Sequence, residues 1–167
     1  MNETTATAAR DRASIRSELE SLQPAYRDLI AEIADSQWKS PSANPAWTCG
    51  QLAWHLASGL GFTSRAVANA RKGKGTNIPS FLMPLGLKAN EFQTRLGARR
   101  ATRESVLTDI EAGFARLRTL VDGIEDHELT LSATNFGDTR TIAGWFLLPK
   151  EHFEEHGPEI RFGLARQ

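Results

Sequence analysis

Apolar residues return along most of this chain in steps of three and four. Ile15, Leu19, Leu22, Tyr26, Leu29 and Ile33 form the first such series. That period lines one face of a helix and cannot line one face of a strand. It predicts a first helix over about 12–35, with a kink at Pro24, whose ring removes one backbone donor. DSQWKSPSANPAW (35–47) reads as a loop. Thr48 and Gln51 then stand at the spacing of a reciprocal helix cap. They open a second helix over about 49–72, with a stripe of Leu52, His55 or Leu56, Gly59, Phe62, Ala66 and Ala70. Thr102 caps a third helix, about 102–123, whose stripe is Val106, Ile110, Phe114, Leu117 and Val121. A fourth begins near Thr141 and carries Trp145, Leu148, His152 and His156. Between helices two and three lies a long connection, 73–101. Its IPSFLMPLG stretch is apolar and expected to fold against the bundle, and its LKANEFQTRL stretch (87–96) reads as a short helix. Long connections of this kind often serve as a lid or pocket wall. LTLSAT is the only strand candidate. The expectation is an all-α, four-helix bundle, one domain over residues 1–167 with 1–11 frayed.

Composition narrows the function classes. The 20 Lys and Arg balance the 20 Asp and Glu, so no net field draws the chain to nucleic acid or to an anionic membrane. A lone cysteine, Cys49, excludes an intrachain disulfide framework and fits a reducing compartment. MNETTATAARDR has no apolar signal core, and the longest apolar run, Trp145 to Leu148, falls far short of a membrane span. A soluble cytoplasmic protein is expected.

Two of the four histidines sit four residues apart in EHFEEH, residues 151–156. On a helix, His152 and His156 project from one side, within reach of one metal ion. They continue the stripe of Trp145 and Leu148, so they should point inward. Two imidazoles make a weak site, and a zinc or nickel ion that keeps one open position needs a third protein ligand. His55, on the apolar stripe of helix two, is the candidate. Each inward histidine is a polar group that needs a partner, and three of them are difficult to explain by packing alone. His127, in the polar GIEDHEL stretch, reads as a surface residue.

PAWTCGQLAWHLASGLGFTSRAVANARKGK and EHFEEHGPEI, in that order and with FGDTRT between them, resemble the two signatures of the DinB/YfiT-like metalloenzyme family. The resemblance covers residues 12 to about 162. It implies an up-down-down-up four-helix bundle with a divalent metal, zinc, nickel or iron, on three side chains and open on the fourth side. Carried over, the ligands are His55, His152 and His156. The stretch from Ala46 to Lys74 looks closest to the mycothiol-dependent branch, with its maleylpyruvate isomerase N-terminal domain and its thiol S-transferases. That implies a low-molecular-weight thiol cosubstrate, mycothiol or bacillithiol, and a small-molecule substrate; a homodimer follows by analogy with bundles of this kind. The chain departs from the pattern at Pro149 and Pro158, which predict a kink before the histidine pair and a loosened helix after it.

Other residues carry lesser expectations. Glu155 or Glu151 is the candidate partner of a ligand imidazole or the candidate base, against a solvated acidic face. Arg99, Arg100 and Arg103 are candidates for clamping a charged cosubstrate, against a solvated basic turn. Cys49 reads as a small buried hydrophobe rather than a nucleophile. Trp47, Trp54 and Trp145 should line the core, with Trp145 nearest the pocket. Three functions compete: a metal- and thiol-dependent S-transferase or isomerase, a non-catalytic binding or stress-resistance protein, and a metal-dependent hydrolase.

Overall fold

A computed structural model describes residues 10–76 and 83–166. The first helix, α1 (Arg12–Ala31), starts where the Asp11 side chain accepts the Ser14 N–H. Its expected stripe is buried, and Ile33 just beyond its end is buried too. The helix stops at Ala31 rather than at 35; a single 3-10 turn, Asp35–Gln37, follows. Pro24 lies inside it.

Helix α2 (Cys49–Arg71) begins with the expected box. Thr48 Oγ1 accepts the Gln51 N–H at 3.3 Å, and Gln51 Oε1 accepts the Thr48 N–H at 2.9 Å. It is buried on several sides because it packs against most of the other elements. Small residues permit this. A Cβ on Gly113 would meet the Leu60 side chain at 2.8 Å, so the partner helix can only approach here without one.

In the long connection, residues 77–82 lie outside the described residues, and most of the IPSFLMPLG stretch falls there. The short helix expected at 87–96 is longer, α3 (Met83–Gly97), and ends in a 3-10 turn, Ala98–Arg100. Gly97 sits directly against the Trp54 ring of α2. The opposite stripe of α3, Leu85, Phe92 and Leu96, is exposed. Helix α4 (Arg103–Asp122) opens at Thr102 as expected, and all five of its stripe residues are buried.

LTLSAT does contain a strand, β1 (Ser132–Asn135), but it pairs antiparallel with a second, β2 (Asp138–Thr141), which the polar sequence hid. The two-residue turn between them, Phe136–Gly137, has positive φ at both positions (52° and 82°). This is the geometry whose twist matches a hairpin. Phe136 N–H also donates to Thr76 O at 2.8 Å, which ties the hairpin to the chain leaving α2.

The expected fourth helix is two pieces, α5 (Ile142–Trp145) and α6 (Leu148–Ala165). Pro149 does not kink a helix; it stands in the first turn of α6, where a backbone donor has no intrahelical partner to lose. The Tyr26 hydroxyl donates to Pro149 O at 2.7 Å and pins that start to α1. After the histidines α6 continues through Gly157 and Pro158 to Ala165, so Pro158 does not end the helix, although it has no N–H to donate to Glu154 O. The fold is thus a mostly helical bundle with one small hairpin. Helix α2 lies against α4 and α6, α1 lies against α4 and α6, and α3 is laid along α2.

Candidate metal centre

His55 of α2 meets His152 and His156 of α6 at the interface of the two helices. The ring centres form a triangle of 5.5 Å (His55–His152), 5.1 Å (His55–His156) and 5.8 Å (His152–His156). For comparison, a tetrahedral zinc at about 2.05 Å from each nitrogen holds ring centres roughly 5.2 Å apart. Two sides of the observed triangle are slightly wider than this, and the His55–His156 side is slightly shorter. Among the described residues, no group of three or more His, Cys, Asp or Glu side chains is placed so as to hold a metal ion as it stands. The rings are gathered at the spacing of a three-histidine site but are not tightened into a cage.

His55 is 8% exposed and His156 5%, while His152 is half-buried. Burial, reinforced by His152 and His156, pushes His55 down to about 3. Burial, with His156 and Arg140 beside it, pushes His152 down to about 4 against the opposing pull of Glu151. Both imidazoles are therefore neutral at physiological pH, the form that binds a metal.

Each ring is set by its surroundings. A Cβ on Gly59 would stand 2.7 Å from His152 Nδ1, so glycine one turn after His55 leaves the space that His152 fills. The Thr94 hydroxyl of α3, buried to 1%, lies 3.3 Å from His55 Nδ1. Glu159 Oε2 lies 2.7 Å from His156 Nδ1. Trp47 stacks on His55 at 4.7 Å and 30°, and stands edge-on to His156 at 6.0 Å. The Nδ1 atoms of His55 and His156 are thus both engaged by the protein, leaving their Nε2 atoms for a ligand. Three imidazoles, two of them with partners on the far nitrogen, are a donor set of the kind that could hold zinc, nickel or iron.

The other expected residues divide. Glu155 is exposed, with its carboxylate 4.0 Å from His156 Nε2, beyond hydrogen-bond reach. Glu151 is paired with Arg140 at 2.6 Å instead of with an imidazole. The partner of His156 is Glu159, which sequence reasoning passed over although it stands three residues on, on the same helix face. Arg103 is held at Ile33 O and Asp35. Arg99 and Arg100 are exposed and border a surface hollow with Leu96 and Gly97, and the structure gives none of the three a contact with the histidines. Cys49 is buried against Pro41 O and Ile160 O with its thiol pushed up by burial, so it is no nucleophile. His127 is exposed, as expected. The tryptophan at the site is Trp47. Trp145 is buried beside Phe62, under the Arg140 guanidinium. Trp47 had a sequence signal only in its position just ahead of the α2 cap; Thr94 had none.

The chain is a mostly helical bundle of the DinB-like class. Within it, the chain belongs to the family of the mycothiol maleylpyruvate isomerase N-terminal domain, which it matches over residues 19–148. That stretch includes His55 and ends just before His152 and His156. No curated protein and no solved structure matches the chain.

Proposed function

We propose that this chain is a metal-dependent enzyme that joins a low-molecular-weight thiol to a small electrophile, as an S-transferase or a thiol-dependent isomerase. The observation that carries the reading is the ring triangle with Nδ1 of His55 and His156 already engaged. His55, His152 and His156 would hold one divalent ion, which supplies a Lewis acid for activating a thiol. The chain's own residues do the rest. Trp47 walls the imidazoles off from water on the side of the 41–48 loop. Glu155 stands where its exposed carboxylate can take up the proton the thiol gives away. Family membership supports the thiol. The same reading takes α1, α2, α4 and α6 in the family's up-down-down-up order.

The test is turnover. Electrophile consumption should require a thiol such as mycothiol or bacillithiol and should vanish in His152→Ala with helical circular dichroism intact. Turnover without thiol would point to a hydrolase. The open triangle favours one second reading, a binding protein without chemistry, which predicts ligand binding that a chelator leaves unchanged.

A further inference from the structure

The loop between α1 and α2 reaches the candidate centre twice. Its Trp47 stacks on His55. Its Asn44 donates through Nδ2 to both carboxylate oxygens of Glu159, at 3.2 and 3.3 Å. The orientation of that amide is fixed, because Asn44 Oδ1 accepts the Ala46 N–H at 3.0 Å and leaves only the NH2 to face α6. The backbone adds a further tie, Ala43 N–H to Glu159 O at 3.0 Å. Ser42 Oγ, which donates to Trp47 O at 2.8 Å, closes the loop on itself. Glu159 is therefore held from the loop side while its Oε2 faces His156 Nδ1 at 2.7 Å.

A carboxylate only accepts hydrogen bonds, so Nδ1 carries a proton, and in the neutral ring that leaves the lone pair on Nε2. We infer that Glu159, held by Asn44, is a positioning residue that fixes the Nδ1–H tautomer of His156 and so keeps its Nε2 free for the ion. This rests on the metal reading above, but the tautomer itself is a property of the metal-free chain. Glu159 does not touch the reacting atoms; it acts through His156.

Two readouts on metal-free, 15N-histidine-labelled protein separate the claims. Long-range 1H–15N correlation at alkaline pH should show His156 protonated on Nδ1 in the wild type. Zinc titration should show Glu159→Gln binding about 10–100-fold more weakly, the usual loss when a ligand's outer partner is removed. Asn44→Ala, which leaves α6 untouched, should show a smaller loss in the same direction. His156 protonated on Nε2 in the wild type would overturn the proposal, as would Glu159→Gln and Asn44→Ala variants that bind zinc as tightly as the wild type. If the wild type binds no zinc at all, the metal reading fails, and the tautomer spectrum alone decides whether Glu159 positions His156.

Discussion

Gly59 separates two effects that usually act together. Alanine at an ordinary helical glycine is expected to stabilise by about 0.5–1 kcal/mol, through helix propensity. At Gly61 the added Cβ meets only the Arg65 side chain, at 3.5 Å, so Gly61→Ala should raise the melting temperature. At Gly59 the same methyl would stand 2.7 Å from His152 Nδ1. The overpacking cost is about 1–3 kcal/mol, so Gly59→Ala should lower the melting temperature and displace one corner of the triangle. Thermal denaturation of the two variants checks the contrast. The histidines themselves predict a pH dependence. Burial holds His55 at about 3 and His152 at about 4, against an ordinary 6.5, so the unfolded chain takes up protons first as pH falls. The metal-free protein should keep this contribution to stability above pH 6.5 and lose it as pH falls toward about 4. Denaturant melts across that window should show the loss, with a shallower slope in His152→Ala. At this scale the meeting of the three histidines was legible from stripe phase and spacing. Glu159 was not legible, because Glu151, Glu154 and Glu155 stand as near the histidines in sequence and only the fold sets Glu159 Oε2 at His156 Nδ1. Trp47 and Thr94 were hidden because their roles depend on where a loop and α3 come to rest.

Among the elements, α1, α2 and α4 were readable because each combines a capping residue with an unbroken apolar period. The last helix was not, because Trp145, Leu148, His152 and His156 read as one stripe although Trp145 belongs to α5. The phase of the histidine pair survived only because both residues lie on α6. Strand β2 was invisible because its residues, Asp138–Thr141, are polar and mostly exposed. Helix α3 is the element whose docking depends most on a few contacts: Thr94 at His55, Gly97 at Trp54, and Arg95 donating to Ala46 O at 2.9 and 3.1 Å. Thr94→Val keeps the shape and removes the hydroxyl. It should speed hydrogen exchange of α3 amides while leaving α4 unchanged, because α4 is held by its own buried face. Tyr26→Phe acts at another joint. It removes the Tyr26 hydrogen bond from the buried Pro149 carbonyl and should cost about 0.5–1.5 kcal/mol in a urea melt.

At the scale of the whole molecule, one core runs from Ile15 to Ile160, and the candidate centre lies on its flank where α2 faces α6. The bundle supplies the rigid sides, while the 41–48 loop and α3 supply Trp47, Asn44 and Thr94 around the rings. Among the described residues no helix is long and apolar enough to cross a membrane. The central claim is that this histidine triangle holds an ion. Elemental analysis by mass spectrometry of the purified, untagged chain, beside a His55→Ala/His152→Ala variant, tests it most directly. The account predicts close to one divalent ion per wild-type chain and almost none in a variant that keeps its helical circular dichroism. A wild type that stays metal-free after incubation with zinc, nickel and iron would contradict it.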